Sequence, residues 1–140
     1  MSAPKADDRY GLLAWRLGAL YGGTAVALGA FGAHALESML EDPSRLDVWE
    51  TAARYQLVHA VVLLVLASLG RIGLRTLVLL GAGVAVFSGS LYLLVLTGQS
   101  WLGAITPLGG LSLICGWISL GLTPPQRPGP GTPPTASETP

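Results

Sequence analysis

An all-α membrane protein, a four-helix transmembrane bundle with antiparallel neighbours and both termini cytoplasmic, is the fold class this sequence predicts. Three observations carry that expectation. Of the 140 residues, 51% are hydrophobic and 11% are charged, where a soluble domain carries roughly 25% charge. The apolar residues fall in runs long enough to cross a bilayer. The basic residues gather on alternate connections, as an even number of crossings requires.

The first span is placed at 12–36, behind a short polar segment at 1–11. Residues 17–36, LGALYGGTAVALGAFGAHAL, contain no Asp, Glu, Lys or Arg. A helix of about 20 residues rises about 30 Å, the thickness of the hydrocarbon core. Arg16, the apolar run and the small residues of AHA at 33–35 also fit a signal peptide. The run is longer than a usual h-region, and its glycine-rich face suits a helix that stays and packs. Retention is therefore the reading adopted, and a mature chain starting at Leu36 would contradict it.

The second span, 47–70, joins the apolar run YQLVHAVVLLVLASLG to an interfacial start at Asp47. Asp42-Pro43 ahead of it is a helix-start signal, Asp as cap and Pro at the first helical position. Glu50 and Arg54 stand one turn apart and can pair. No charged residue occurs from Thr76 to Gln126. About 50 residues exceed one crossing, and TGQSW at 97–101 supplies turn chemistry. Spans at 76–97 and 101–122 follow. Each must be helical, because unpaired backbone groups find no water in lipid. Trp15, Trp49 and Trp101 fall near span ends, where interfacial anchors belong, and Trp117 near the cytoplasmic end of the last helix. Residues 123–140 hold seven prolines and cannot build a core. A disordered or polyproline-like tail is expected there. PQRP within it matches a PxxP ligand, but a solvated tail is the simpler reading.

Lys5, Arg9 and Arg16 precede the first span, Arg71 and Arg75 separate the second from the third, and Arg127 follows the fourth. The opposite side has Arg45 and Arg54 with Glu37, Glu41, Asp42, Asp47 and Glu50. The positive-inside rule places both termini in the cytoplasm and the acidic loop outside. Net charge is zero, with no basic patch to hold nucleic acid. Cys115 is the single cysteine, so an intramolecular disulfide or Cys-rich metal site is excluded. Its apolar surroundings read as those of a small buried residue.

Small residues recur at four-residue steps: Gly18, Gly22, Ala25, Gly29 and Ala33 in the first span, Gly81, Ala85 and Gly89 in the third, Ser112 and Gly116 in the fourth. Such faces let helix backbones approach closely. Most are expected to pack inside the bundle, with a second copy or another membrane protein as the alternative neighbour. Lipid is the surrounding partner.

Polar residues concentrate in the outer half of the spans. His34, Glu37, Arg54, Tyr55, Gln56, His59, Ser90, Tyr92 and Thr106 form the candidate binding set, with Ser88 close to it. Tyr55 and His59 share one helix face, four residues apart. Pro107 cannot bond back to the Gly103 carbonyl and frees an acceptor near Thr106. Intramembrane ionisable groups are functional candidates by default. A polar network that fixes helix register is nonetheless the reading favoured for each residue. His34, Glu37 and His59 lack a recognised metal spacing. His34 and His59 differ in depth by about two turns, which argues against a shared haem. No Ser-His-Asp set, P-loop or GxGxxG motif occurs. No cofactor and no enzymatic activity are expected.

GAFGAHALE, WETAARYQLVHA, FSGSLYLL and LGAITPLGGL resemble, in order and spacing, the domain of unknown function 423 family. That family includes YgdD-like small bacterial inner-membrane proteins, and the transmembrane protein 256 group is similar. The resemblance covers about residues 15–120 and leaves the proline-rich tail outside. It implies a four-helix, multi-pass protein of the bacterial inner membrane and no defined activity. The motif positions it carries are His34, Glu37, Trp49, Arg54, Tyr55, Gln56, His59, Ser88, Gly89, Ser90, Tyr92, Thr106 and Pro107. Three functions follow as expectations: a non-catalytic structural, assembly or accessory factor, a small transporter or channel using the outer polar cluster, and a haem- or metal-dependent redox protein.

Overall fold

The computed structural model describes residues 6–40 and 42–123, and among these residues every regular element is helical. Helix α1 runs Ala6–Phe31, continues through a π-helical turn at Gly32–Leu36 and ends in a last turn, Glu37–Met39. Helices α2 (Ser44–Ser68), α3 (Leu74–Thr97) and α4 (Leu102–Gly121) follow. All four are long and apolar enough to cross a membrane.

One element start differs from expectation: the chain is already helical at Ala6, within the segment expected to be merely polar. Helix α2 begins at Ser44, where the Asp42-Pro43 signal places it, and Asp42 Oδ1 accepts the Ser44 amide at 2.9 Å. Helix α3 stops at Gly98, whose φ of 69° is left-handed and whose amide donates to the Leu94 carbonyl at 2.9 Å. That conformation is cheap for glycine and strained for other residues. The proline-rich tail expected at 123–140 falls, from residue 124 on, outside the described residues.

Two hairpins build the bundle. Helix α1 packs along α2 and α3 along α4, α2 against α3 joins the pairs, and α1 touches α3 only lightly. One apolar cluster holds Ala14, Leu63, Leu66, Ile72, Leu77, Leu80, Val84 and Leu113. The other holds Leu36, Trp49, Ala52, Tyr92 and Val95. Arg71 Nη2 reaches the Thr123 carbonyl at 3.4 Å, tying the α2–α3 loop to the end of α4. At the other end the Arg45 guanidinium lies over Gly98. Neighbouring helices are therefore antiparallel, and the start of α1 shares an end of the bundle with the finish of α4.

The outward faces carry large apolar side chains, among them Val26, Val78, Leu108, Leu111 and Ile118, each more than half exposed. A water-soluble monomer rarely presents so much contiguous apolar surface. Lipid covers it here. Two residues depart from their expected surroundings. Trp49 is buried rather than interfacial, because its ring closes the α1–α2 contact. Cys115 is exposed rather than buried, because the α3-facing side of α4 is taken by Leu113 and Gly116.

Small residues seat the close contacts. A Cβ on Gly18 would meet the Ala60 carbonyl at 3.0 Å, one on Gly81 would meet Leu17 at 2.8 Å, and one on Gly116 would meet Leu80 at 2.6 Å. Gly22 lies near Ala60, at 3.8 Å by the same measure. A Cβ on Gly29 or Gly89, both expected among the packing glycines, would meet nothing from another helix within 4 Å. Gly32, Gly83 and Gly109 do have close neighbours, and spacing alone did not single them out.

Candidate functional site: a polar seam between the helices

The buried polar side chains face neighbouring helices. Gln56, on the α1-facing side of α2, donates through Nε2 to the Tyr21 carbonyl at 2.9 Å and to Thr24 Oγ1 at 2.6 Å. The Tyr21 hydroxyl donates to the Gly81 carbonyl of α3 at 2.8 Å. Ser88 of α3 donates to the Ala52 carbonyl of α2 at 2.9 Å. Ser90 and Thr106 join α3 to α4 at 2.8 Å, and Thr76 with Ser119 repeats that link at 3.1 Å. Ser112 donates to the Leu79 carbonyl at 2.9 Å. Every helix pair in close contact thus carries at least one side-chain hydrogen bond.

His59 adds a link between α2 and α4. Its Nδ1 lies 2.8 Å from the Tyr55 carbonyl, which can only accept, so Nδ1 carries the proton. Nε2 then accepts from the indole N–H of Trp117 at 3.2 Å. Both ring nitrogens are engaged in a neutral tautomer. A haem iron or metal ion at Nε2 would have to displace Trp117 of α4. Tyr55 stacks on this pair, with ring centroids 6.1 Å from His59 and 4.7 Å from Phe87, as the four-residue spacing of Tyr55 and His59 predicts.

Trp49 makes the corresponding contact at the other end of the seam. Its indole N–H donates to the Leu28 carbonyl at 2.8 Å, just before the π-helical turn of α1. Such turns arise where the regular ladder is interrupted, often at functional positions. Tyr92 packs its ring edge-on against Trp49 at a centroid distance of 4.6 Å. The Tyr92 hydroxyl is buried and has no hydrogen-bond partner among the described residues. Beside it a groove of about 290 Å³ opens between α1 and α3, lined by Tyr21, Thr24, Gln56, Ser88, Gly89 and Tyr92 among others.

The candidate set drawn from sequence therefore divides. Gln56, His59, Ser90 and Tyr92 are buried, Thr106 is half-buried and bonded to Ser90, and Tyr55 is half-exposed on the α2–α4 side. His34, Glu37 and Arg54 are exposed at the end of the bundle away from the start of α1 and make no side-chain hydrogen bond or ion pair among the described residues. Thr106 also bonds the Leu102 carbonyl at 3.3 Å, one residue before the Gly103 carbonyl that Pro107 was expected to free. Sequence reasoning missed Tyr21, Thr24, Thr76 and Ser119. Their signal was a hydroxyl within an apolar run, a pattern that does not say which neighbour it meets.

No solved structure matches the chain. It is 48% identical over 110 residues to the UPF0382 membrane protein YwdK of Bacillus subtilis, covering 74% of this chain and 89% of that one. It is 47% identical over 111 residues to the UPF0382 membrane protein SAB0533 of Staphylococcus aureus, covering 74% and 88%. The profile described as protein of unknown function DUF423 matches residues 28–110, which include the π-helical turn, Trp49 and most of the polar seam. The chain belongs to the DUF423 family, and like its relatives it is an integral membrane protein.

Proposed function

We propose that this protein is a non-catalytic accessory or assembly factor of the bacterial inner membrane, acting through its helix surfaces. One observation supports this most: among the described residues the buried polar side chains, the Tyr92 hydroxyl apart, are engaged with the backbone or side chains of the bundle rather than gathered around an open site. The surface left to a partner includes Ala19, Gly23, Ala27 and Ala30, all exposed along the outward side of α1. Small residues there allow another membrane helix, from a second copy or a different protein, to approach closely. Arg9, Arg16, Arg71 and Arg75 lie at the end of the bundle where α1 starts, and Glu37, Asp42, Asp47 and Glu50 toward the other. The charge bias supports a cytoplasmic position for the first end.

Mild-detergent affinity purification with mass spectrometry tests the reading. A stoichiometric membrane-protein partner or a homo-oligomer is expected, and it is lost when Gly23 is replaced by Leu. Monomeric protein that passes a solute in liposomes would overturn it. That second reading, a small transporter, draws on the unpartnered Tyr92 hydroxyl beside the α1–α3 groove. It requires the Tyr92→Phe variant to change the flux.

A further inference from the structure

A second groove, of about 480 Å³, runs between α3 and α4 at the opposite end of the bundle from Tyr92. Arg75, Val78, Leu79, Cys115, Ile118 and Leu122 line it, and so does Ser119. Its walls are apolar and open outward to where the acyl chains lie. Arg75, at the first turn of α3, is exposed and makes no hydrogen bond or ion pair among the described residues. No Asp or Glu occurs between Thr51 and Ser137, so neither helix of the groove carries an acid to neutralise it. Arg71 adds a second positive charge at this end, bonded to the Thr123 carbonyl.

We propose that this groove binds one anionic phospholipid, its phosphate on Arg75 and one acyl chain along Val78, Ile118 and Cys115. A guanidinium presents planar donors that match phosphate oxygens, and a basic pocket between transmembrane helices is suited to an anionic headgroup. Cys115 lies about two turns below Leu122, roughly 10 Å deeper along α4. A chain that follows the groove from a headgroup at Arg75 therefore passes over the Cys115 thiol. The Thr76–Ser119 pair lies between these levels. When Thr76 donates to Ser119, the Ser119 proton is free for an ester carbonyl.

The single cysteine makes the site readable in the full chain. The protein is placed in nanodiscs of phosphatidylcholine alone or mixed with phosphatidylglycerol, and Cys115 alkylation by a membrane-permeant maleimide is timed. Lipid retained after detergent extraction is weighed by native mass spectrometry. Phosphatidylglycerol is expected to slow alkylation about fivefold relative to phosphatidylcholine, the preference one basic group near an anionic surface supports. One phosphatidylglycerol per chain should be retained. Arg75→Ala removes both effects, Arg75→Lys keeps part of them, and Arg16→Ala, on a helix that does not line the groove, leaves them intact. Equal alkylation in the two lipids, or a preference that survives Arg75→Ala, overturns the proposal.

Discussion

A Cβ on Gly32 would stand 2.6 Å from Trp49 Cδ1, inside any real contact distance. That single missing side chain lets Trp49 sink into the α1–α2 interface and reach the Leu28 carbonyl. Gly32→Val should expel the ring and destabilise the protein by about 1–3 kcal/mol, the usual cost of overpacking. Trp49→Phe should cost about 1–3 kcal/mol, because the Leu28 carbonyl loses its indole donor. Both are read from denaturation midpoints in detergent. Tyr92 gives the opposite expectation. Its buried hydroxyl has no partner among the described residues, so Tyr92→Phe should leave stability unchanged or raise it by about 1 kcal/mol. A loss of more than that in the same assay would show that the hydroxyl has a partner. The stretch GAFGAHALE drew attention through His34 and Glu37, both exposed, while its structurally decisive residue is Gly32. Ionisable groups advertise chemistry in a sequence. A glycine's role depends on what another helix brings against it, which no local pattern states.

The helices themselves were legible because lipid admits few alternatives: long uncharged runs must become hydrogen-bonded rods. Their partners were less so. Spacing placed Gly18, Gly22, Gly81 and Gly116 at contacts but also named Gly29 and Gly89, which face open space. A four-residue step marks one face of a helix without saying whether lipid or protein lies there. Gly109 separates the cases, since a Cβ on it would collide with the Phe87 backbone. Gly109→Ala should force α4 away from α3 and lower the midpoint, whereas Gly89→Ala should leave it unchanged. The start of α2 depends on Asp42. Hydrogen bonds from Ser44 hold the Asp42 carboxyl below the usual carboxylate range. A lowered native pKa means that the cap stabilises α2 above the ordinary carboxylate pKa. The contribution is lost as pH falls through the lowered native value. Hydrogen exchange at Arg45–Val48, normalised to free-amide rates, should lose protection on acidification. Asp42→Ala should show the unprotected pattern at every pH.

At the scale of the whole molecule, two hairpins meet along α2 and α3, and side-chain hydrogen bonds join every close helix pair. Interhelical bonds of this kind average about 0.6 kcal/mol each in a membrane. The seam therefore fixes register more than it supplies bulk stability. Sequence alone showed four crossings and polar groups in all four helices. It did not show that Gln56 turns toward α1 while His59 turns toward α4, because three residues on a helix still separate two faces by about 60°. The central proposal is that the four crossings leave both ends on the cytoplasmic side. Single cysteines in a Cys115→Ser background test it directly: Ser2→Cys and Ser137→Cys for the two ends, Ser44→Cys and Ser100→Cys for the outer loops. An impermeant maleimide applied to intact cells should label Ser44→Cys and Ser100→Cys and should label the two ends only after the membrane is opened. Labelling of one end but not the other in intact cells would contradict the fold's antiparallel, even-numbered path.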